Sequence, residues 1–334
     1  FFETMPADRI DLSMDLEADR MVNSVYDPQE VDSERTVIIS EREGNENEPL
    51  FKLEESMQLA AFKTHPYRNE VLGSIADLRA ISREDLYAHY RTYYNPANTI
   101  IAVAGDFQTE DMLQKLRSRY ESIPPAPLPA PIDLREPALQ AEERVEVNGP
   151  GETTYLELTW RAPAAVEDDF FSLTVLDSLL TGPSSLNMFG GGGISNKTSR
   201  LYRALVEKEL AVSINGSLQA TIDPYLYGII VTLSPDGTPE KALRAIDEEI
   251  DRLVNKPVSH EEIERAVKQA RAMFVYGSEN ITNQAFWLGY SSMFADSNWF
   301  LKYVENLQAV TPAKLLKAAQ NYLVPQKRVV GIYH

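Results

Sequence analysis

The stretch ISREDLYAHYRTYYNPANTIIAVA, residues 81–104, contains a helix signal, a proline stop and a strand signal in that order. Ser82 stands where an N-cap is expected before a run of helix formers, and Tyr93-Tyr94-Asn95-Pro96 ends that run. The β-branched and apolar residues 99–104 then predict a strand. The stretch is therefore predicted to form one helix–turn–strand unit.

The same order recurs as VTPAKLLKAAQNYLVPQKRVVGIY, residues 310–333, where Thr311 is the predicted cap. The offset is 229 positions, from Pro96 to Pro325. The sequence ERTV that begins at Glu34 also falls over ERAV that begins at Glu264, at an offset of 230. Two ordered matches at nearly one offset predict a duplicated unit. Further strands are predicted at 155–160, where apolar and polar residues alternate as in a half-buried strand, and at 226–231. Because each copy mixes helices with strands, the predicted fold class is α+β.

The clearest predicted boundary is PPAPLPAP at residues 124–131, with five prolines in eight residues. Prolines at this density disfavour helices and sheet ladders and favour a semi-rigid connector. We therefore predict an N-terminal domain at residues 1–123, a proline-rich linker at 124–143 and a homologous C-terminal domain at 144–334.

Composition narrows the function classes. The 334 residues are 43% hydrophobic and 25% charged, which is typical of a water-soluble globular protein, and no apolar run approaches the ~20 residues of a membrane helix. A formal charge of −18 argues against a nucleic-acid partner, and zero cysteines exclude disulfides, thiolate catalysis and cysteine-based metal sites. The compartment is left open between bacterial cytoplasm and periplasm. The start, FFET, lacks an initiator Met and a signal-peptide pattern, so we expect a fragment that begins internally.

Glu34 and Glu41 are seven residues apart, which places both carboxylates on one face of a predicted helix. One of them is a candidate metal ligand, but spacing alone favours an exposed helix whose neighbouring arginines solvate it. Histidine is scarce, and no two histidines have the spacing of a helical metal-binding pair. The four are His65, His89, His260 and His334.

A glycine run at Gly190, Gly191, Gly192 and Gly193 precedes Lys197-Thr198 with nearly the spacing of a phosphate-binding loop. Asn196 stands where the second glycine of that motif belongs, and no β-branched strand precedes the run. We therefore interpret the run as a surface loop before a helix predicted at 200–209, with peptide contact as its functional alternative. No Gly-x-Ser-x-Gly elbow supports a serine hydrolase.

An ordered set of segments resembles the insulinase, pitrilysin and mitochondrial processing peptidase family of inverted-motif (His-x-x-Glu-His) zinc metallopeptidases. The resemblance covers nearly the whole chain and implies two homologous metallopeptidase-type domains, each a mostly antiparallel sheet covered by helices, with the first domain incomplete. The segments are FETMPAD (2–8), EADRM (17–21), SERTVIISE (33–41), HPY (65–67), YYNPAN (93–98), VAGDF (103–107), SRLYRAL (199–205) and LAVS (210–213).

The resemblance also implies site residues. In the family, zinc is held by two motif histidines and a downstream glutamate; that glutamate position resembles Glu41, and Glu34 matches the accompanying acid. Zinc with three protein ligands and an open fourth position activates water for peptide hydrolysis. The resemblance thus implies a Zn²⁺-dependent endopeptidase. Because Glu41 aligns at offset 230 with Arg271, only the first half is expected to hold metal.

The sequence departs from the family pattern, since no His-x-x-Glu-His occurs in the 334 residues. We expect this chain to be catalytically incomplete, and N-terminal truncation explains the absence better than a degenerate paralogue because Glu34 and Glu41 are retained. Some members of the family contact substrate through an arginine and a tyrosine in the second half. In this sequence Val212 stands at the tyrosine position, and Leu205 stands at the arginine position. Arg203 is then the nearest substrate-binding candidate.

An alternative function follows from the glycine run, which resembles the glycine-rich loop of the substrate-recognising processing-peptidase subunit. The chain would then be a noncatalytic subunit that pairs with a catalytic homologue. In both hypotheses the expected partners are a peptide substrate and a second subunit, in a homodimer or a heterodimer.

Overall fold

A computed structural model describes residues 1–131, 134–183 and 196–334. The chain divides into two units, and each includes a segment from the other half of the sequence. Unit 1 consists of Phe1–Gly44, Val71–Asp133 and Asn280–Met293, and unit 2 of Asn45–Glu70, Leu134–Glu279 and Phe294–His334. The domains predicted at residues 1–123 and 144–334 follow chain order and stay a prediction.

The helices are numbered along the chain, and the described residues form thirteen of them. None of these combines the length and apolarity that crossing a bilayer requires. They are α1 Ile10–Asn23, α2 Pro28–Asn45, α3 Pro49–Ala61, α4 Ile75–Ala80, α5 Arg83–Tyr93, α6 Thr109–Tyr120, α7 Phe170–Leu180, α8 Pro239–Asn255, α9 His260–Gly277, α10 Ile281–Phe294, α11 Ser297–Leu301, α12 Tyr303–Gln308 and α13 Pro312–Tyr322.

Unit 2 is built on a five-stranded sheet with strand order β1-β5-β2-β4-β3. β1 pairs with β5 in parallel, and the remaining pairs are antiparallel. The predicted α+β class is confirmed, as are the strands predicted from the runs at 155–160, 226–231 and 328–333. The strands are β1 Glu143–Val147, β2 Tyr155–Arg161, β3 Ala211–Leu218, β4 Leu226–Leu233 and β5 Arg328–Tyr333.

Helix α3 covers one face of this sheet, although it comes from the first half of the sequence. Its buried side chains Leu53 and Met57 pack with Phe62 against Val329 and Tyr333. Gly331 lies under the helix, and a Cβ there would stand 2.5 Å from the Met57 sulfur. The close approach of α3 to β5 therefore requires glycine at this position.

Unit 1 is helical in the part that the structure describes, and the strand predicted at residues 99–104 is not formed. A strand needs a ladder partner, and no described segment pairs with these residues. Ile100 and Ile101 are accordingly 50% and 45% exposed. The preceding helix is confirmed as α5, where Ser82 and Asp85 form a reciprocal capping box.

The helix lengths support the predicted duplication. α2 and α9 both have 18 residues and begin 232 positions apart, at Pro28 and His260. α5 and α13 both have 11 residues and begin 229 positions apart. The caps recur as well, since Ser82 and Thr311 each accept a hydrogen bond from a backbone N–H three residues later.

Candidate functional site

Glu34 and Glu41 lie on an exposed face of α2 in unit 1. Neither carboxylate makes a hydrogen bond or ion pair with the residues that the structure describes. Their seven-residue spacing corresponds to nearly two helical turns, so both side chains lie on one side of the helix. The two predicted metal-site acids therefore lie on the same exposed face of α2, nearly two turns apart, and both are open to a ligand.

Two arginines hold α2 in unit 1. Arg42 is only 5% exposed and donates to the Gly73 carbonyl at 3.1 Å. Arg35, nearly two turns earlier, donates to the Leu78 carbonyl. Each arginine directly follows one of the glutamates, so these contacts lie about 100° around the helix from the carboxylates. The helix is thus anchored without use of Glu34 or Glu41.

The described residues alone do not form a zinc site. Among them, no group of three His, Asp or Glu side chains lies close enough to share a metal ion. His65 is 8% exposed; its Nδ1 accepts from the Tyr67 N–H, and its Nε2 lies 3.4 Å from Asp223. It therefore acts within unit 2 as a structural residue. As a ligand, Glu41 would supply one of the three or four protein groups that structural and catalytic zinc sites need.

The duplication shows what the glutamate face of α2 corresponds to in unit 2. Helix α9 buries a stripe of side chains toward its neighbours, and the Ser178 hydroxyl on α7 donates to the Ala266 carbonyl at 3.3 Å. The stripe is Ile263, Ala266, Ala270, Met273 and Gly277. At the offset of 232, its counterparts on α2 are Val31, Glu34, Ile38, Glu41 and Asn45.

By the helix boundaries Glu41 corresponds to Met273, whereas the predicted alignment at offset 230 pairs it with Arg271. The helix boundaries give an offset of 232, which is two positions more than the offset of 230 from ungapped sequence matching. The conclusion drawn from the alignment is unchanged, because a methionine among alanines on α9 provides no oxygen ligand for a hard or borderline cation. Both glutamates occupy positions that face a neighbouring helix in the second copy.

Of the predicted substrate-binding residues, Arg203 lies in the part of the chain that the structure describes. Arg203 is exposed on a π-helical turn at Tyr202–Val206, which replaces part of the helix predicted at 200–209, and it lines a small cavity described below. Leu205, the family arginine position, is fully buried, whereas Val212 is 64% exposed on β3. Gly190, Gly191, Gly192 and Gly193 lie outside the described residues.

Sequence reasoning missed a buried polar cluster under α3. Glu157 on β2 is only 5% exposed, and burial together with nearby Glu54 raises the pKa of its carboxyl to about 8. Gln58 donates to the Tyr225 hydroxyl at 2.9 Å, and burial raises the pKa of that phenol. The alternation of β2 predicted a half-buried strand, but α3 covers its polar face.

The comparison with known families decides the identity. The family model described as the peptidase M16 inactive domain matches residues 80–270, more than half of the chain. The chain belongs to the peptidase M16 family. The resemblance stated from the sequence is therefore confirmed, and the M16 match extends from α4 through most of α9.

Curated relatives of this M16 chain are zinc proteases and processing-peptidase subunits. An uncharacterized zinc protease of Streptomyces coelicolor is 25% identical over 80% of this chain and 57% of its own length. The beta subunit of the mitochondrial-processing peptidase of Saccharomyces cerevisiae is 23% identical over 81% of this chain and 59% of its own length. The M16 chain thus spans less than two thirds of these relatives.

Solved structures share the fold of the M16 chain. A protease from Helicobacter pylori superposes with a TM-score of 0.87 at 20% identity, over 98% of this chain and 77% of that one. A peptidase M16 inactive domain from Pseudomonas fluorescens gives a TM-score of 0.81 at 19% identity, over 98% and 75%. Identities this low establish the fold and leave the activity to the residues.

Proposed function

We propose that this M16 chain is the greater part of a zinc-dependent endopeptidase, incomplete for catalysis as given, in which Glu41 is a zinc ligand and Glu34 a supporting acid. The observation that carries the proposal is the open pair of carboxylates on one face of α2. Their counterparts Ala266 and Met273 are buried against neighbouring elements in the second copy. A helix docked on α2 in the same way would bring its side chains to both carboxylates.

Such a helix would carry the two histidines that the 334 residues lack in motif form. Glu41 would then complete three protein ligands, which is the ligand count of catalytic zinc sites with an open position. Glu34, nearly two turns closer to the N-terminus of α2, would accept a hydrogen bond from a ligand histidine and fix its orientation. Zinc would supply the activated water for peptide hydrolysis.

Zinc content of a longer form of the protein, measured by mass spectrometry after gel filtration, tests the assignment. We expect one zinc per wild-type chain and loss of that zinc in Glu41→Gln. Glu34→Gln should keep the site but weaken zinc affinity by roughly 10- to 100-fold. Glu30→Gln is the matched control, because Glu30 is also exposed on α2 but lies outside the stripe.

Unchanged zinc in Glu41→Gln would refute the ligand assignment while leaving the family intact. A longer form that carries an intact inverted motif but binds no zinc would refute the endopeptidase proposal. Both outcomes are read from metal content, so they do not depend on knowing the peptide substrate.

The second candidate function is a noncatalytic substrate-recognition subunit that pairs with a catalytic homologue. It is favoured by the match to the inactive domain of the family and by the absence of His-x-x-Glu-His from the sequence. In either function a peptide would bind as an added strand, with affinity from backbone hydrogen bonds. Gel filtration separates homodimer from heterodimer, and peptidase activity that appears only on mixing with a homologue would select the second candidate.

A further inference from the structure

Three arginines line one small cavity in unit 2, between α7, α9 and the segment that precedes the π-helical turn. They are Arg200, Arg203 and Arg265, and the cavity volume is about 30 Å³. The other lining side chains include Ser178, Thr198, Glu262 and Gln269. Three arginines therefore line one opening in a chain whose net charge is −18.

The acid in this lining is already engaged. One oxygen of Glu262 accepts from the Arg200 guanidinium at 3.0 Å, and its other oxygen accepts from the Ser259 hydroxyl at 3.3 Å. The guanidinium groups of Arg203 and Arg265 have no hydrogen-bond or ion-pair partner within the described ranges. The cavity thus carries two guanidinium groups more than its carboxylate neutralises.

The uncharged walls of the cavity are held by their own hydrogen bonds. The Gln269 amide donates to the Thr198 hydroxyl at 3.2 Å, and the Ser178 hydroxyl donates to the Ala266 carbonyl at 3.3 Å. Ser178 is 3% exposed, so α7 forms a fixed floor beneath the arginines. These contacts leave the N–H donors of Arg203 and Arg265 to a ligand.

The cavity also has a defined place in the duplicated fold. Ala266, which lines it, is the counterpart of Glu34 on α2. Where unit 1 presents carboxylates that suit a cation, the residue next to this position in unit 2 is Arg265, whose guanidinium suits an anion. Guanidinium is planar and pairs with carboxylate or phosphate through two parallel N–H donors.

We propose that this cavity binds a carboxylate group of a peptide, with Arg265 and Arg203 as its partners. The proposal rests on the peptide-binding function proposed above. Carboxylate is the anion that an unmodified peptide carries, and its two oxygens match two parallel N–H donors of a guanidinium group. The carboxylate belongs either to the peptide C-terminus or to an acidic side chain.

Isothermal titration calorimetry on the 334-residue chain tests the proposal with three N-acetylated tetrapeptides of alanine and leucine. The first has a free C-terminus, the second is amidated, and the third is amidated with one internal glutamate. We expect the first or the third to bind, which identifies the source of the carboxylate, and the neutral second to bind at least tenfold more weakly. Arg265→Gln and Arg203→Gln should each weaken binding roughly tenfold or more.

Arg271→Gln is the matched control, because it removes the same charge from an exposed position on α9. It should leave the affinity unchanged, and circular dichroism should show the same folded signal for all three variants. Equal binding of the neutral amide, wild-type affinity in both Arg203→Gln and Arg265→Gln, or tight binding of inorganic phosphate without peptide would overturn the proposal. The titration needs no metal, so its failure leaves the Glu41 assignment untouched.

Discussion

Replacement of Glu157 by glutamine should stabilise unit 2 at neutral pH. The Glu157 carboxyl is 5% exposed on β2, and its Oε2 accepts no hydrogen bond from the described residues. Burial, with Glu54 as a second cause, raises its pKa to about 8, whereas the ordinary glutamate value is 4.5. The folded state therefore holds this carboxyl protonated at pH 7, while the unfolded chain ionises it.

The sign follows from proton linkage. A carboxyl whose folded pKa is raised contributes its full share of stability below pH 4.5 and loses it as pH rises to about 8. Relative to its value below pH 4.5, the free energy of unfolding should be lower by about 3 kcal/mol at pH 7 and by about 5 kcal/mol above pH 8 because of this carboxyl. Glutamine keeps the shape and removes the ionisation, so Glu157→Gln should recover most of this free energy of unfolding.

Urea unfolding between pH 4.5 and 8.5 measures the effect. Tryptophan fluorescence in a Trp287→Phe background reports on unit 2, because Trp160 and Trp299 both lie there and are buried. In the wild type the free energy of unfolding should fall across this range. Glu157→Gln should flatten the fall, and Glu146→Gln, an exposed glutamate on β1, should not.

The reasoning would be refuted if Glu157→Gln kept the wild-type slope, or if it lowered stability at pH 8. Glu54→Gln gives a second check on the cause. Because Glu54 raises the pKa of Glu157 by charge repulsion, its removal should move the upper end of the slope below pH 8. If the pH at which the slope ends did not move in Glu54→Gln, burial alone would account for the raised pKa of Glu157.

Two further changes in unit 2 have defined outcomes. Glu136 accepts hydrogen bonds from the backbone N–H groups of residues 63, 64 and 65, and these bonds hold the pKa of its carboxyl at about 2. Its contribution to the free energy of unfolding is therefore present above pH 4.5 and lost as pH falls toward 2. Glu136→Gln should therefore cost about 1–2 kcal/mol at pH 7 after solvent screening, and nothing at pH 2, by the same urea assay. Gly331→Ala should cost about 1–3 kcal/mol through its clash with Met57 and Leu53, whereas Gly44→Ala, with open space around it on α2, should be neutral or stabilising in thermal unfolding.

Much of the secondary structure could be predicted because its signals are local. Ser82 and Thr311 cap helices within three residues of their own position, and the alternation at 155–160 marks β2 directly. The strand at 99–104 has the same local signal but fails, because a strand also depends on a partner that the described chain does not provide. Propensity alone does not form a ladder.

The candidate site shows the same limit. The seven-residue spacing of Glu34 and Glu41 predicts one helix face, and α2 spans both residues. The arginine cavity joins residues near 200 to residues near 265, so no local motif predicts it. Glu157 looked half-exposed from its strand pattern, and only the packing of α3 from the first half of the chain buries it.

In both copies the equivalent helix packs on the equivalent segment, but the larger and the smaller residue of this contact are exchanged. Met57 and Gly289 lie 232 positions apart, the offset of α3 and α10, and Ala102 and Gly331 lie 229 positions apart. In unit 2 the large Met57 side chain packs over Gly331, whereas in unit 1 Gly289 lies over Ala102, so the volume missing on one side is present on the other.

The chemistry on the α2 and α9 stripes has diverged in the same way. Glu34 and Glu41 give α2 an open pair of carboxylates, while Ala266 and Met273 are buried at the equivalent positions and Arg265 turns the edge of that stripe into a basic cavity. Shared packing therefore predicts where a site lies in each copy, and the side chains decide what it binds. The zinc test on Glu41 and the carboxylate test on Arg265 are independent, because the two residues belong to different units and to different positions of the duplicated helix.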